Sequence, residues 1–193
     1  MGRHKSFDPD RALEAAMHAF WAKGYEATSV EDLVAQTGLN RASLYGTFGG
    51  KKELFLKAFD RYVDEGTVAA LDGATTAGSA HPALSAHFDG LIDRACDGRA
   101  AGCFITNTTA EFGMRDDDVL EHARRALARI ENAIDRLLRR AQGFGEIDAD
   151  ADIRARARHL LATMQGIQVL SKVNPDRKAL RQIADVALDA AFR

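Results

Sequence analysis

Apolar residues return every three or four positions along almost the whole chain, and no stretch alternates strictly enough to read as a strand. The pattern predicts an all-α protein of about nine helices. A first helix carries Leu13, Met17, Phe20 and Trp21 on one face. Asp8 is its expected N-cap, Pro9 sits where a missing N–H costs nothing, and Gly24 ends it. A second, short helix points Val30, Leu33 and Val34 inward, with capping-box spacing between Thr28 and Glu31 and a stop at Gly38. A third is shorter still: Asn40 caps it, and "RASLY" supplies about two turns before Gly46. After the break at "FGG", a fourth helix runs from Lys51 towards Leu71 and buries Leu54, Phe55, Ala58, Phe59 and Tyr62.

Beyond residue 72 the texture changes. "LDGATTAGSAHP" reads as a small-residue linker, followed by a helix over about 82–98 with Leu84, Phe88, Leu91, Ile92 and Ala95 on one side. "GRAAGCFITNTTAEFG" is apolar and hydroxyl-rich. The acids of "RDDD" then suit the start of a long helix reaching about Gln142. The last two helices, about 151–173 and 176–193, are divided by "NPD", and both are apolar over more than one face.

Composition adds little. With 193 residues, 46% hydrophobic and 28% charged, the chain belongs with folded proteins. No apolar run approaches the roughly eighteen residues that suggest a membrane span. "MGRHKSF" has no apolar stretch behind it, so it reads as a basic tail (Arg3, His4, Lys5) rather than a signal peptide. Two cysteines, Cys96 and Cys103, make no disulfide framework and suit a reducing cytoplasm. Net charge is −2, and residues 1–55 hold seven basic against seven acidic side chains. Charge therefore matters only locally, where Arg41, Lys51 and Lys52 fall close together.

Two short helices joined by a glycine-containing turn form a helix-turn-helix. Leu33, Leu39 and Leu44 would lock the pair onto the first helix and leave Asn40, Arg41, Ala42 and Ser43 facing outward. In that geometry the first residues of the second short helix meet base edges in the major groove. Arg41 suits guanine, Asn40 suits adenine or a phosphate, and Ala42 or Thr47 suits a thymine methyl. Lys51 lies at a helix N-terminus, where free N–H groups favour a phosphate. The expected organisation is a DNA-binding domain over residues 1–50 and a larger helical effector-binding and dimerisation domain over 51–193.

The stretch "TSVEDLVAQTGLNRASLYGTFGGKKELF" resembles the DNA-binding domain of the TetR family of bacterial transcriptional regulators, with the likeness spanning roughly residues 8–60. The resemblance implies phosphate contacts from Tyr45 and Lys51, base reading by Arg41 and its neighbours, and a core role for Phe48. Thr28, in the Thr-Ser pair that opens the second helix, joins the DNA-contacting set. It further implies a homodimer through the two C-terminal helices on a near-palindromic double-stranded operator, and repression relieved by a small-molecule or electrophile effector. An activator, or a regulator without an effector, fits the same residues. One departure is that many members carry an aromatic or histidine where this chain has Gly46 and Thr47.

Effector candidates in the helical domain are Phe88, Cys103, Phe104, Asn107, Thr108, Met164, Gln165 and Gln168. Cys103 follows Gly102 at an expected helix start, where the dipole favours thiolate, and "GCFITN" is similar to a segment of some electrophile-responsive members. Buried cysteines more commonly act as small hydrophobes. Asp148, Asp150 and Asp152 have the opening spacing of a calcium loop, but Ile153 and His159 stand where that loop needs Gly and Glu. With no nucleophile–base pair and only scattered histidines, no catalytic, metal or cofactor site is expected, and an all-helical enzyme or scaffold is the weaker alternative.

Overall fold

The computed structural model describes residues 7–74, 79–97 and 102–193. The basic tail and parts of the linker and of the segment after residue 97 lie outside them. Among the described residues there is no strand, and the helices run in the order expected.

Helix α1 (Pro9–Lys23) starts as its sequence demands: the Asp8 carboxylate accepts from the Asp10 N–H at 2.9 Å, and Gly24 closes the helix at φ +83°. Helix α2 (Val30–Thr37) is capped one residue later than the Thr28–Glu31 spacing suggested. Ser29 and Asp32 form the capping box, while Thr28 is fully buried and donates its hydroxyl to the Gly24 carbonyl at 2.6 Å. Gly38, at φ +69°, makes the left-handed turn into α3 (Arg41–Phe48), whose cap is Asn40 accepting from Ser43 N–H at 2.8 Å.

Helix α4 (Lys51–Val63) does not run straight to Leu71. It passes through a π-helical turn, Asp64–Val68, in which Gly66 leaves helical geometry (φ −96°, ψ −105°), before α5 (Ala69–Ala74) resumes. A glycine inside a widened turn is a sufficient physical cause for the kink. Then follow α6 (Ala80–Cys96), α7 (Phe104–Phe112), α8 (Asp117–Gly143), α9 (Ile153–Leu170) and α10 (Arg177–Phe192). Asp116, Asp152 and Asp176 cap the last three, so the aspartates tested as a calcium loop feed an N-cap.

Apolar packing is continuous from the N-terminal helices into the rest of the molecule. Its centre is a cluster of aromatic rings. Phe55 meets Phe20 at 5.2 Å, Tyr25 at 5.1 Å, Phe112 at 5.5 Å and Phe104 at 5.6 Å between centroids. Phe104 also packs on Phe59 and Tyr62, so α1, α4 and α7 share one aromatic nucleus.

Candidate nucleic-acid interface and internal cavity

Helix α3 owes its presentation to what lies behind it. Leu44 and Phe48 are buried, which turns Asn40, Arg41, Ala42 and Gly46 to solvent and leaves Ser43, Tyr45 and Thr47 half-buried. The Arg41 guanidinium lies 5.5 Å from the Tyr45 ring centroid, an arrangement that steadies a long side chain on an exposed helix. The Phe48 carbonyl accepts from Lys57 Nζ at 3.0 Å, so Lys57 steadies the end of α3. At Gly46 an added Cβ would meet nothing within 4 Å, so the bare backbone there is not demanded by packing inside the protein.

Lys51 opens α4 with its Nζ 4.3 Å above the Tyr25 ring centroid. One of the free N–H groups at this helix start, that of Gly50, already donates to the Glu53 carboxylate at 2.7 Å. Lys52, grouped with Arg41 and Lys51 by sequence, instead reaches Asp116 at 2.9 Å and Asp118 at 2.7 Å, and these carboxylates hold its ammonium above the usual lysine range. Thr28, placed among DNA-contacting residues by sequence, belongs to the core: its side chain is fully buried and its hydroxyl is spent on the backbone.

Two further ties fasten α1 to α7. The Glu111 carboxylate accepts from Tyr25 N–H at 2.9 Å and from Glu26 N–H at 2.7 Å, and Trp21 Nε1–H donates to the Gly102 carbonyl at 2.7 Å. Gly24 is needed beside this clasp, because a Cβ there would stand 2.8 Å from a Glu111 oxygen.

The second of these ties borders a cavity of about 320 Å³. Its walls come from α1 (Met17, Trp21), the kinked α4–α5 rod (Arg61, Tyr62, Gly66), α6 (His87, Leu91, Arg94), the start of α7 (Cys103, Ile105) and α9 (Met164, Gln165, Gln168). Of the sequence candidates, Cys103, Met164, Gln165 and Gln168 are brought together here. The others are elsewhere. Phe88 and Phe104 are core, Phe104 as a member of the aromatic nucleus. Asn107 is engaged by the Lys172 ammonium, and Thr108 is 1% exposed with its hydroxyl unpaired among the described residues. Trp21, Arg61, Tyr62, His87 and Arg94 were missed.

Burial pushes the His87 imidazole down to about 4, assisted by the nearby Arg94 charge, so this ring is neutral at physiological pH. Burial, with Cys103 in hydrogen-bonding contact, likewise raises the Tyr62 phenol above its ordinary value. Cys103 occupies the N-cap position of α7, as its sequence context suggested, and is 5% exposed. Val169 and Leu170 at the end of α9, Val173 just beyond it, and Ile183 and Val186 on α10 are large apolar side chains left exposed. No described helix is long and apolar enough to cross a membrane.

Compared with known families, residues 12–58 match "Bacterial regulatory proteins, tetR family" and residues 80–187 match the "Tetracyclin repressor-like, C-terminal domain". The chain is 34% identical to the HTH-type transcriptional regulator YezE of Bacillus subtilis over 190 residues, covering 97% of this chain and 98% of the relative. It is 33% identical over 191 residues to the HTH-type transcriptional repressor ComR of Escherichia coli, covering 97% and 90% respectively. Among solved structures it is similar to a cysteine-substituted CifR, a TetR family transcriptional regulator complexed with 26-base-pair operator DNA. The TM-score is 0.85 and identity 25%, over 98% of this chain and 99% of that one.

Proposed function

Because the chain belongs to the tetR family of bacterial regulatory proteins, we propose that it is a dimeric transcriptional repressor released from its operator by a small molecule or electrophile. The observation that carries this reading is an outward α3 that begins with Asn40 and Arg41, is anchored by Leu44 and Phe48, and is followed by Lys51 at a helix start. Residues 1–50, together with Lys51 at the start of α4, form the DNA-reading part, and the rest forms the effector and dimer part. Arg41, Asn40, Ala42, Ser43 and Thr47 face base edges. Tyr45 and Lys51 hold phosphates.

The apolar face bearing Val173, Ile183 and Val186 pairs with its symmetry mate, so that two α3 helices address successive major-groove faces of a near-palindrome. An effector in the cavity touches α1 and the kinked α4–α5 rod directly. Binding there favours a conformation in which the two α3 helices no longer match the operator spacing.

The test is a pair of substitutions titrated against operator and random duplexes over a salt series. Arg41→Ala loses preference for the operator. Lys51→Ala weakens both duplexes alike and lowers the salt slope by about one. Equal effects of both on specificity would contradict the assignment.

A further inference from the structure

Helix α6 separates its charges between two faces. Asp89, Asp93 and Asp97, four residues apart, all turn to α10: Arg181 pairs with Asp89, and Arg177 pairs with Asp93 and, at 3.3 Å, with Asp97. The other face turns His87, Leu91, Arg94 and Ala95 into the cavity. With the nearby acids committed to α10, Arg94 makes no ion pair or hydrogen bond among the described residues. Its guanidinium folds back over the helix at Gly90, where a Cβ would come within 3.2 Å of Nη1.

The cavity's remaining ionic groups cancel. Arg61 Nε lies 3.0 Å from a Glu65 carboxylate oxygen, and the two charges neutralise each other. His87 carries no charge at neutral pH, and the Arg94 charge is felt both at its imidazole on α6 and at the Tyr62 phenol on α4. Among the described residues lining the cavity, Arg94 is therefore left as an unmatched positive charge over an interior of Met17, Trp21, Leu91 and Ile105. A low-dielectric hollow with one sign of charge at its rim concentrates ions of the opposite sign. A guanidinium adds a planar fork that fits a carboxylate or sulfonate in two places.

We infer that the effector is an amphipathic organic monoanion, its apolar body lying against Trp21 and Met17 and its acidic head on Arg94. This rests on the reading of the cavity as the effector site. The volume, about 320 Å³, falls at the small end of the roughly 300–1,000 Å³ range of ligand pockets.

The test uses two dyes that differ by one acidic group: 1-anilinonaphthalene-8-sulfonate, an anion, and N-phenyl-1-naphthylamine, its neutral counterpart. Trp21 is the protein's sole tryptophan and lines the cavity, so a dye bound there accepts energy from it. Arg94→Gln is expected to weaken the sulfonate roughly three- to tenfold, the lower end reflecting the exposure of Arg94, and to leave the neutral dye unchanged. Arg94→Lys keeps most of the sulfonate affinity, and added salt weakens the sulfonate alone. Unfolding temperatures of the variants, equal to wild type, exclude dye uptake by a loosened fold.

If both dyes bind but Arg94→Gln changes them equally or not at all, the anion assignment is overturned while the cavity reading stands. If neither dye accepts energy from Trp21, the cavity reading falls and takes the anion with it.

Discussion

Glu111→Ala probes the clasp between the DNA-reading helices and the cavity wall. The carboxylate accepts two backbone N–H groups, from Tyr25 at 2.9 Å and Glu26 at 2.7 Å, in the turn that leads from α1 to α2. A hydrogen bond to a charged group contributes about 1.5–3 kcal/mol. The Tyr25 bond is part-buried and the Glu26 bond is exposed, so the second contributes less, and water replaces part of what is lost. The expected cost is about 2 kcal/mol, which for a chain of this length lowers Tm by roughly 4–8 °C. Glu111→Gln keeps one acceptor and costs about half as much.

Gly24→Ala strains a φ of +83° and drives a Cβ to 2.8 Å from a Glu111 oxygen, so it is destabilising by a similar amount. Only the clash is relieved when Glu111 is also truncated, so the double variant loses less than the sum of the two singles. Thermal unfolding followed by far-UV circular dichroism measures all three. A Tm for Glu111→Ala within 1 °C or so of wild type, or strict additivity with Gly24→Ala, would refute the clasp as a stabilising contact.

Gly46→Ala separates folding from DNA reading. Its Cβ has open space and α3 gains helix propensity, so Tm rises by an amount corresponding to about 0.5–1 kcal/mol, while operator affinity in a gel shift falls because a methyl now stands on the DNA-facing side. Unchanged affinity would remove Gly46 from the interface. His87 gives a pH signature. Its folded-state value of about 4 lies below the unfolded 6.5, so the unfolded chain takes up the proton first and stability falls as pH drops from about 6.5 to 4. The loss is on the order of 2–3 kcal/mol, and His87→Gln should flatten the urea-derived stability profile across that window. Parallel profiles would show that the imidazole is not desolvated.

The helix boundaries were legible because they rest on local chemistry. Asp8 and Asn40 cap helices, and Gly24 and Gly38 end them, as residue type and spacing alone require. The α2 cap shows where that reasoning loses resolution. Thr28–Glu31 and Ser29–Asp32 have the same spacing, and burial of Thr28 under α1 decides between them. The kink at Gly66 was invisible because a π-turn inserts one residue without disturbing the apolar count enough to notice.

The α3 face followed from Leu44 and Phe48 within a few residues of it. The cavity was only half readable. Cys103, Met164, Gln165 and Gln168, named as effector candidates from the sequence, do converge on it. Trp21 and Met17 looked like ordinary core positions of the first helix, and nothing in their periodicity says that α1 also closes the cavity. Phe104 misled for the opposite reason: an aromatic next to Cys103 suggested a pocket wall, yet its ring completes the nucleus with Phe55, Phe59 and Tyr62.

The most direct test of the account is a gel shift with wild-type protein and the DNA upstream of its own gene and that gene's neighbour, with stoichiometry read from the same titration. A discrete complex containing two protomers per near-palindromic site is expected. Random duplex should compete for it only weakly, and affinity should fall steeply with salt. Equal affinity for random duplex, or a complex formed by single protomers, would contradict it.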